Sequence, residues 1–483
     1  MKSKYNFIFY HLLWVLCLIL IYLTYLSGEI DINVLNKIIS FAFIINFVWG
    51  LISWYVLTKS VFDPYILFFI AAASFNGGQI FLEAFGLNEF GFLGGEFTKI
   101  HQFLTVYFIT ISIALFHLGG LLSFKEIKLK KEKSSLIFNE KNILIIGLFL
   151  LAISFIPTVV ILKSSLFKVL NFGYFGLFTG KKLTGINAIN TRLSLFFIPA
   201  TIFILIGGKK KKGFIVLSLI LILATTLIRF FIGDRSGAAL PLIAYFWTWH
   251  KVVKPIPSFL LASLGAFLLF IVFPLVSLTR NISGIYRLNF EFLKEAFLTI
   301  QNPAISIISE MGITSITMAY TLELVPYVKP FQLGKSYFYG FYSIIPNFFA
   351  EVHPAKAYGT PSDWLVWTVN PYFAKEGGGL GYSFIAEAYL NFGWIGGLFL
   401  IILLGYLTGK LHTITLNKKN LGKIALVASF LAFYLKYARA DINSVIRPLV
   451  WYAFIPYFLV YILYYLKDYY QKYLKNFLHN AIK

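Results

Sequence analysis

One apolar segment of the sequence carries three polar side chains at helical spacing, and one of them is a carboxylate. Ser383, Glu387 and Asn391 are each four residues apart, so a helix places them on one face. A carboxylate in an apolar helix is costly unless it faces a wet cavity or a charged partner. Glu387 is therefore a candidate general base. The alternative is that Glu387 forms a structural ion pair with an arginine.

Arginine is rare in this chain, whereas lysine is common. Of the 42 arginine and lysine residues, seven are arginines. A guanidinium group stays charged and grips phosphate oxygens in bidentate fashion. The alternative for any one arginine is contact with lipid headgroups or with a neighbouring acid. We expect a pocket for an anionic diphosphate, and its candidate ligands are Arg235, Arg280, Arg287, Arg439 and Arg447.

Two of these arginines lie in one short stretch near the end of the chain. Arg439, Asn443 and Arg447 are each four residues apart and form one polar face if the stretch is helical. Pro448 predicts that the helix is interrupted there, because the residue before proline avoids α geometry. On either interpretation, two arginines and Asp441 lie at a helix break.

Three further candidates stand apart from these segments. Arg235 follows Gly233-Asp234 in a turn that opens a predicted helix, and helix N-terminal amides favour anions. Glu310 and His353 fall within a long predicted loop and are further candidates for the general base. For His353 the alternative is a solvated loop side chain without a catalytic role.

No motif for a bound metal or cofactor is present. The sequence lacks GxxxxGK(S/T), HExxH, GxSxG and CxxC patterns, and its single cysteine, Cys17, lies in the first apolar run. We therefore expect neither a metal nor another cofactor. The net charge of +22 would suggest nucleic acid in a soluble protein. Most lysines here lie in short loops between apolar runs, so they indicate membrane topology and no nucleic-acid partner.

Membrane-spanning helices must position these side chains. The chain is 59% hydrophobic and only 13% charged, whereas a soluble domain carries roughly 25% charged residues. Apolar runs of about 20 residues, the length that crosses a bilayer, recur along the chain. We predict an all-α polytopic membrane protein of about twelve transmembrane helices, at 6–26, 37–57, 63–84, 101–123, 142–163, 191–207, 213–232, 237–250, 256–279, 383–407, 424–438 and 448–466.

The lysine-rich loops predict the orientation of these helices. If twelve helices alternate, the loops after the fourth, sixth and tenth helices share one face with both termini. The positive-inside rule makes that face cytoplasmic and places every arginine at or near the other face. The long aromatic loop is then extracytoplasmic and is expected to form amphipathic helices. The predicted segments are 1–279 with helices one to nine, 280–382 as the extracytoplasmic loop, and 383–483 with helices ten to twelve and a basic cytoplasmic tail.

Several short stretches resemble the Wzy-type polysaccharide polymerases of bacteria, which join oligosaccharide repeat units. The resemblance spans most of the chain and is strongest from 230 to 450. Its most specific piece is the segment 379–393, which contains Glu387. The other stretches are Asp63-Pro64, Gly233-Asp234-Arg235, Ser309-Glu310-Met311-Gly312, Leu333–Tyr337 with Ile345-Pro346, and Arg439–Ser444.

The resemblance implies a glycosyltransferase of the GT-C class in the bacterial cytoplasmic membrane, with its active site facing the periplasm or the exterior. Similar enzymes transfer a glycan from one polyprenyl diphosphate carrier to a repeat unit held on another, without a nucleotide or a metal. The implied partners are polyprenyl diphosphate-linked oligosaccharides, membrane lipids and a chain-length regulator.

Two other functions share parts of this pattern. An O-antigen ligase has similar parts but uses a different acceptor. A lipid-linked oligosaccharide flippase or transporter would place charges along a cavity through the membrane and would have short loops. In this sequence the arginines cluster beside one long loop, which favours the polymerase.

Overall fold

The computed structural model describes residues 2–88, 92–125, 137–177, 185–280, 282, 287, 289–298, 302–345 and 359–482. Within these ranges the chain forms helices and no strand. The α-helices in chain order are α1 (Lys2–Ser27), α2 (Ile32–Thr58), α3 (Pro64–Ala84), α4 (Lys99–Ser123), α5 (Glu140–Phe172), α6 (Gly185–Ser194), α7 (Phe197–Gly207), α8 (Lys212–Ile232), α9 (Arg235–Val252), α10 (Ser258–Phe267), α11 (Phe273–Arg280), α12 (Phe290–Leu298), α13 (Pro303–Gly312), α14 (Ser315–Leu324), α15 (Lys335–Tyr342), α16 (Pro361–Val369), α17 (Pro371–Lys375), α18 (Phe384–Ile414), α19 (Leu421–Tyr434), α20 (Asn443–Pro448) and α21 (Ile455–Ile482).

Twelve helical segments in the described part of the chain are long and apolar enough to cross a membrane. The prediction of an all-α chain with about twelve transmembrane helices is confirmed, and the protein is a multi-pass membrane protein. The twelve segments are Lys4–Ser27, Ile32–Thr58, Pro64–Ala84, Lys99–Ser123, Glu140–Phe172, Ile186–Gly207, Lys212–Ile232, Ser258–Arg280, Pro303–Leu324, Phe384–Ile414, Leu421–Arg439 and Asn443–Leu474.

These twelve segments differ from the predicted set at two places. The predicted eighth helix forms as α9, but this helix is not among the twelve apolar segments. It begins with Arg235 and ends near the polar pair His250-Lys251, which lowers its hydropathy. The segment Pro303–Leu324, which the sequence indicated as part of a loop, is apolar and long enough to cross.

Hydroxyl side chains account for the second difference. Ser315, Thr317 and Thr321 are buried in the segment Pro303–Leu324. Each hydroxyl donates to a backbone carbonyl three or four residues earlier, at 2.7, 2.7 and 2.6 Å. Because these polar groups are satisfied within their own segment, they can be buried at little cost.

The chain folds into two compact units, and each unit is built from stretches that are distant in the sequence. The first unit comprises Met1–Ile127, Pro257–Ile414 and Tyr434–Arg447. The second comprises Lys128–Ile256, Thr415–Phe433 and Pro448–Lys483. Most of the candidate site residues belong to the first unit.

Helix α4 forms the centre of the first unit, where it packs against α1, α2, α3, α14 and α18. Nearly all of α4 is buried. Its contact with α18 is backbone to backbone, because a side chain at Gly119 or Gly405 would overlap the facing main chain. Glycine therefore sets the close approach of the helix that carries Glu387.

Helix α18 is broken at Gly393, which has φ +63° and ψ −155°. Glycine adopts this backbone region without a steric penalty. A helix break leaves nearby carbonyl groups without amide partners in the helix. The carbonyl oxygens of Leu390 and Asn391 accept hydrogen bonds from the amides of Gln332 and Leu333, at 2.9 and 3.0 Å. The buried first part of α18 is thereby joined to the chain that leads into α15.

In the second unit, the long helix α5 packs against α6, α7, α8 and α21. Glu140 in its first turn pairs with Lys209 and Lys210 at 3.6 and 3.1 Å. The hydroxyl groups of Ser218 and Tyr245 lie 2.9 Å apart and join α8 to α9.

Candidate functional site

Glu387 lies in the first turn of α18, in the interior of the first unit. Its side chain and those of Ser383 and Asn391 are completely shielded from solvent. Glu387 and Asn391 thus lie in the buried first part of α18, and Ser383 lies directly before this helix. These polar groups form hydrogen bonds with side chains and backbone groups from other parts of the same unit.

Two hydrogen bonds hold the Glu387 carboxylate. The Ser336 hydroxyl donates to Oε1 at 2.7 Å, and the backbone amide of Ile442 donates to Oε2 at 2.8 Å. Nδ2 of Asn391 donates to the same Ser336 oxygen at 2.8 Å. Among the described residues, no arginine or lysine pairs with this carboxylate. The contacts of Glu387 are therefore neutral donors and not the guanidinium group of a structural ion pair.

One turn of α3 connects α18 to the segment before Arg439. The Ser383 hydroxyl donates to the side-chain carbonyl oxygen of Asn76. Nδ2 of Asn76 donates to the backbone carbonyl of Ala438 at 3.0 Å. The guanidinium of Arg439 lies over the ring of Phe75, 5.2 Å from its centroid. Arg439 is thereby placed beside this turn of α3.

The same part of α3 also contacts α13, the helix that carries Glu310. A Cβ at Gly78 would lie 2.9 Å from the Cα of Gly312 in α13, so the two backbones touch. Glu310 Oε1 lies 3.8 Å from Nη1 of Arg280, and its Oε2 accepts a hydrogen bond from the Ser277 hydroxyl at 3.2 Å. The side chains of Arg280 and Glu310 are 26% and 37% exposed. This ion pair therefore lies partly at the surface of the protein.

Arg287 stabilises the backbone next to this ion pair. Its guanidinium donates to the backbone carbonyls of Arg280 at 2.7 Å and Ile282 at 2.5 Å. The residue is only 3% exposed. Burial lowers the pKa of the Arg287 guanidinium from its ordinary value. Arg287 thus holds the chain after α11 in place.

The helix break near Arg439 occurs earlier than Pro448 indicated. A 3-10 turn ends at Arg439, and α20 begins at Asn443. Pro448 continues into a wider π turn, Leu449–Phe454, which can accommodate a residue without an amide hydrogen. Arg439, Asn443 and Arg447 therefore do not share one continuous helix face.

Asp441 occupies this break and is almost completely buried. Its Oδ2 accepts a hydrogen bond from the Ser362 hydroxyl at 3.0 Å, and its Oδ1 accepts one from the Asn443 amide at 3.1 Å. Burial raises the pKa of Asp441 above its usual value, although these hydrogen bonds oppose the shift. Nε of Arg447 donates to the backbone carbonyl of Ser343. The break is thus tied to the residues at the start of α16 and after α15.

Two sequence candidates belong to other parts of the chain. Arg235 opens α9 in the second unit. Asp234 caps that helix by accepting a hydrogen bond from the Gly237 amide at 2.8 Å and pairs with Arg229 at 2.8 Å. His353 lies outside the described residues.

Sequence reasoning missed two polar residues that hold the site together. Asn76 is an amide in an apolar helix, the same signal that singled out Glu387, and could have been found in the same way. Ser336 lies directly before the aromatic run Tyr337–Tyr342, and neither its residue type nor its spacing indicates a role. Only the folded chain shows that its hydroxyl meets both Glu387 and Asn391.

One turn of α3 contacts Arg439 and α13, and the Glu310 carboxylate of α13 pairs with Arg280. Arginines can hold the oxygens of a diphosphate, and a carboxylate such as Glu310 can accept a proton from a hydroxyl group. Across the described ranges, no three histidine, cysteine, aspartate or glutamate side chains lie close enough together to hold a metal ion.

Comparison with protein families matches nearly the whole chain to a known family. The family model for the O-antigen polysaccharide polymerase Wzy matches residues 5–473, nearly the whole chain. No curated protein and no solved structure matches the chain.

Proposed function

Because the chain belongs to the O-antigen polysaccharide polymerase family, we propose that it joins lipid-linked oligosaccharide repeat units at the outer face of the bacterial cytoplasmic membrane. The donor glycan is carried on a polyprenyl diphosphate. A hydroxyl of the acceptor repeat unit attacks the anomeric carbon, the bond from that carbon to the diphosphate oxygen breaks, and the hydroxyl proton passes to a base. The enzyme is thus a GT-C glycosyltransferase that uses neither nucleotide nor metal.

The observation that carries this proposal is that one part of α3 contacts both Arg439 and α13, the helix that carries Glu310. Arg439 lies over Phe75, and the helix of Glu310 packs against Gly78, one helical turn further along. A departing diphosphate gains negative charge as its bond breaks. Guanidinium groups already held in place stabilise that charge without reorganising. We assign Arg439, Arg447 and Arg280 to the diphosphate, with Arg287 supporting Arg280.

The candidate bases Glu310 and Glu387 differ in the exposed fraction of their side chains. Glu310 is the carboxylate that an acceptor hydroxyl can approach, since its side chain is 37% exposed. Glu387 is fully buried and both of its oxygens are occupied by hydrogen bonds. A base must come within hydrogen-bond reach of the proton that it removes. We therefore propose Glu310 as the base, and His353 is the next residue to test.

A single purified substrate distinguishes this function from its alternatives. We expect the purified protein in proteoliposomes to convert one polyprenyl diphosphate-linked repeat unit, which is both donor and acceptor, into a ladder of oligomers. An O-antigen ligase would need a different acceptor, and a flippase would form no new bond. The products are separated by gel electrophoresis and mass spectrometry. An unchanged substrate, or transfer only to an added second acceptor, would contradict the proposal.

A further inference from the structure

The Glu387 carboxylate joins three stretches of the first unit that are far apart in the sequence. Glu387 belongs to α18, Ser336 to α15, and Ile442 to the break before α20. Each carboxylate oxygen accepts one hydrogen bond, from Ser336 at 2.7 Å and from Ile442 at 2.8 Å. A carboxylate can accept at both oxygens, so it suits a junction between two donors.

The Ile442 amide depends on this acceptor. Ile442 is buried and directly precedes α20, where a backbone amide has no partner within the helix. A buried amide that finds no acceptor destabilises the conformation that contains it. Removal of the Glu387 carboxylate would leave this amide unpaired. The stretch after Arg439 would then lose a contact that anchors it to α18.

Further contacts hold α15 against the same junction. Nδ2 of Asn391 donates to the Ser336 hydroxyl, and Oδ1 of Asn391 accepts a hydrogen bond from the Gly334 amide at 3.0 Å. A Cβ at Gly340 would lie only 2.9 Å from a methyl group of Ile442. Helix α15 and the break before α20 are therefore fixed on α18 together.

We propose that Glu387 is a positioning residue, which fixes the segment carrying Arg439 so that its guanidinium is held at the diphosphate site. This inference rests on the function proposed above. Only Ala440 and Asp441 separate Arg439 from the anchored Ile442. The stretch before α18 holds the segment as well, because the Tyr382 amide donates to the Arg439 carbonyl at 3.5 Å. Glu387 thus acts through Arg439 and not on the acceptor hydroxyl.

Substitution of Glu387 by glutamine and by alanine distinguishes a positioning role from a role as general base. In Glu387→Gln the side-chain oxygen can still accept from Ile442 while its NH2 group donates to Ser336, so we expect at most about a threefold loss of polymerisation. In Glu387→Ala the Ile442 amide is orphaned, and we expect a loss of roughly 10- to 100-fold. If Glu387 were the general base, Glu387→Gln would instead lower the polymerisation rate by about 10²- to 10⁴-fold.

Binding of a diphosphate probe tests whether Glu387 acts through Arg439. We propose to measure the Kd of farnesyl diphosphate for the detergent-purified wild type, Glu387→Gln, Glu387→Ala, Arg439→Ala and the double alanine variant. Glu387→Ala is expected to weaken binding, and the double variant to bind no more weakly than Arg439→Ala alone, because coupled residues are non-additive. Should Glu387→Ala not yield folded protein, Glu387→Asp takes its place, since its shorter side chain cannot reach both donors.

Three outcomes overturn the positioning role. They are equal binding by the wild type and Glu387→Ala, additive losses in the double variant, and loss of polymerisation by Glu387→Gln with unchanged binding. The third outcome would identify Glu387 as the base. If binding follows the expected pattern but the wild type makes no polymer, the positioning role stands and the proposed reaction fails.

Discussion

Arg439→Ala is expected to lower the rate of polymer formation by roughly 10²- to 10³-fold, the effect of removing one donor that stabilises charge in a transition state. Arg439 lies over Phe75 at the turn of α3 that also contacts the helix of Glu310. Alanine removes the fixed guanidinium from the departing diphosphate. The rate is measured with purified variant and a polyprenyl diphosphate-linked repeat unit, at equal amounts of folded protein.

Two matched variants show whether the loss comes from the guanidinium itself. Arg439→Lys keeps the charge but lacks the planar fork, so we expect an intermediate rate. Lys436→Ala removes an exposed cation from the same 3-10 turn and should polymerise as the wild type does. Equal losses in Lys436→Ala and Arg439→Ala would show that only the general positive charge of this turn matters.

Glu310→Gln is expected to slow polymerisation by about 10²- to 10⁴-fold, the usual contribution of a general base. Glutamine has nearly the same shape as glutamate but cannot accept the acceptor's proton. It should therefore leave binding of farnesyl diphosphate within about threefold of the wild type, since only its modest exposed pairing with Arg280 is lost. The two measurements together place Glu310 in the chemical step.

The control variant for Glu310→Gln changes a glutamate on the neighbouring helix α14. Glu323 is an exposed carboxylate near the end of α14, and Glu323→Gln should leave the rate unchanged. The melting temperature of Glu310→Gln tests whether its pairing with Arg280 supports the fold. Normal polymer from folded Glu310→Gln would remove Glu310 as the base and direct the search to His353.

Much of the fold could be predicted because apolar length is a local property of the sequence. Runs of about 20 apolar residues identify a span without knowledge of its neighbours. The segment Pro303–Leu324 was not predicted as a membrane span because its hydroxyl side chains make it look polar in the sequence. In the structure these hydroxyl groups donate hydrogen bonds to backbone carbonyls of the same segment. The break in α18 at Gly393 could not be predicted, since it depends on the amides of Gln332 and Leu333.

The candidate site could be predicted in its residue types but not in its contacts. The spacing of Ser383, Glu387 and Asn391 correctly indicated a group of buried polar side chains, although Ser383 precedes the helix that carries the other two. It could not show that Ser336 and Ile442, both more than 50 residues away, supply the partners of Glu387. Those partners are brought together by tertiary packing, and they change the role that we assign to the carboxylate.

Release of polyprenyl diphosphate distinguishes the proposed reaction from other routes to polymer. The purified wild type is incubated with a polyprenyl diphosphate-linked repeat unit in the presence of a metal chelator and without any nucleotide. Released lipid and new glycosidic bonds are both counted by mass spectrometry. We expect one intact polyprenyl diphosphate for every bond formed. Polymer growth that stops with the chelator, or that releases polyprenyl monophosphate and inorganic phosphate within the same turnover, would contradict it.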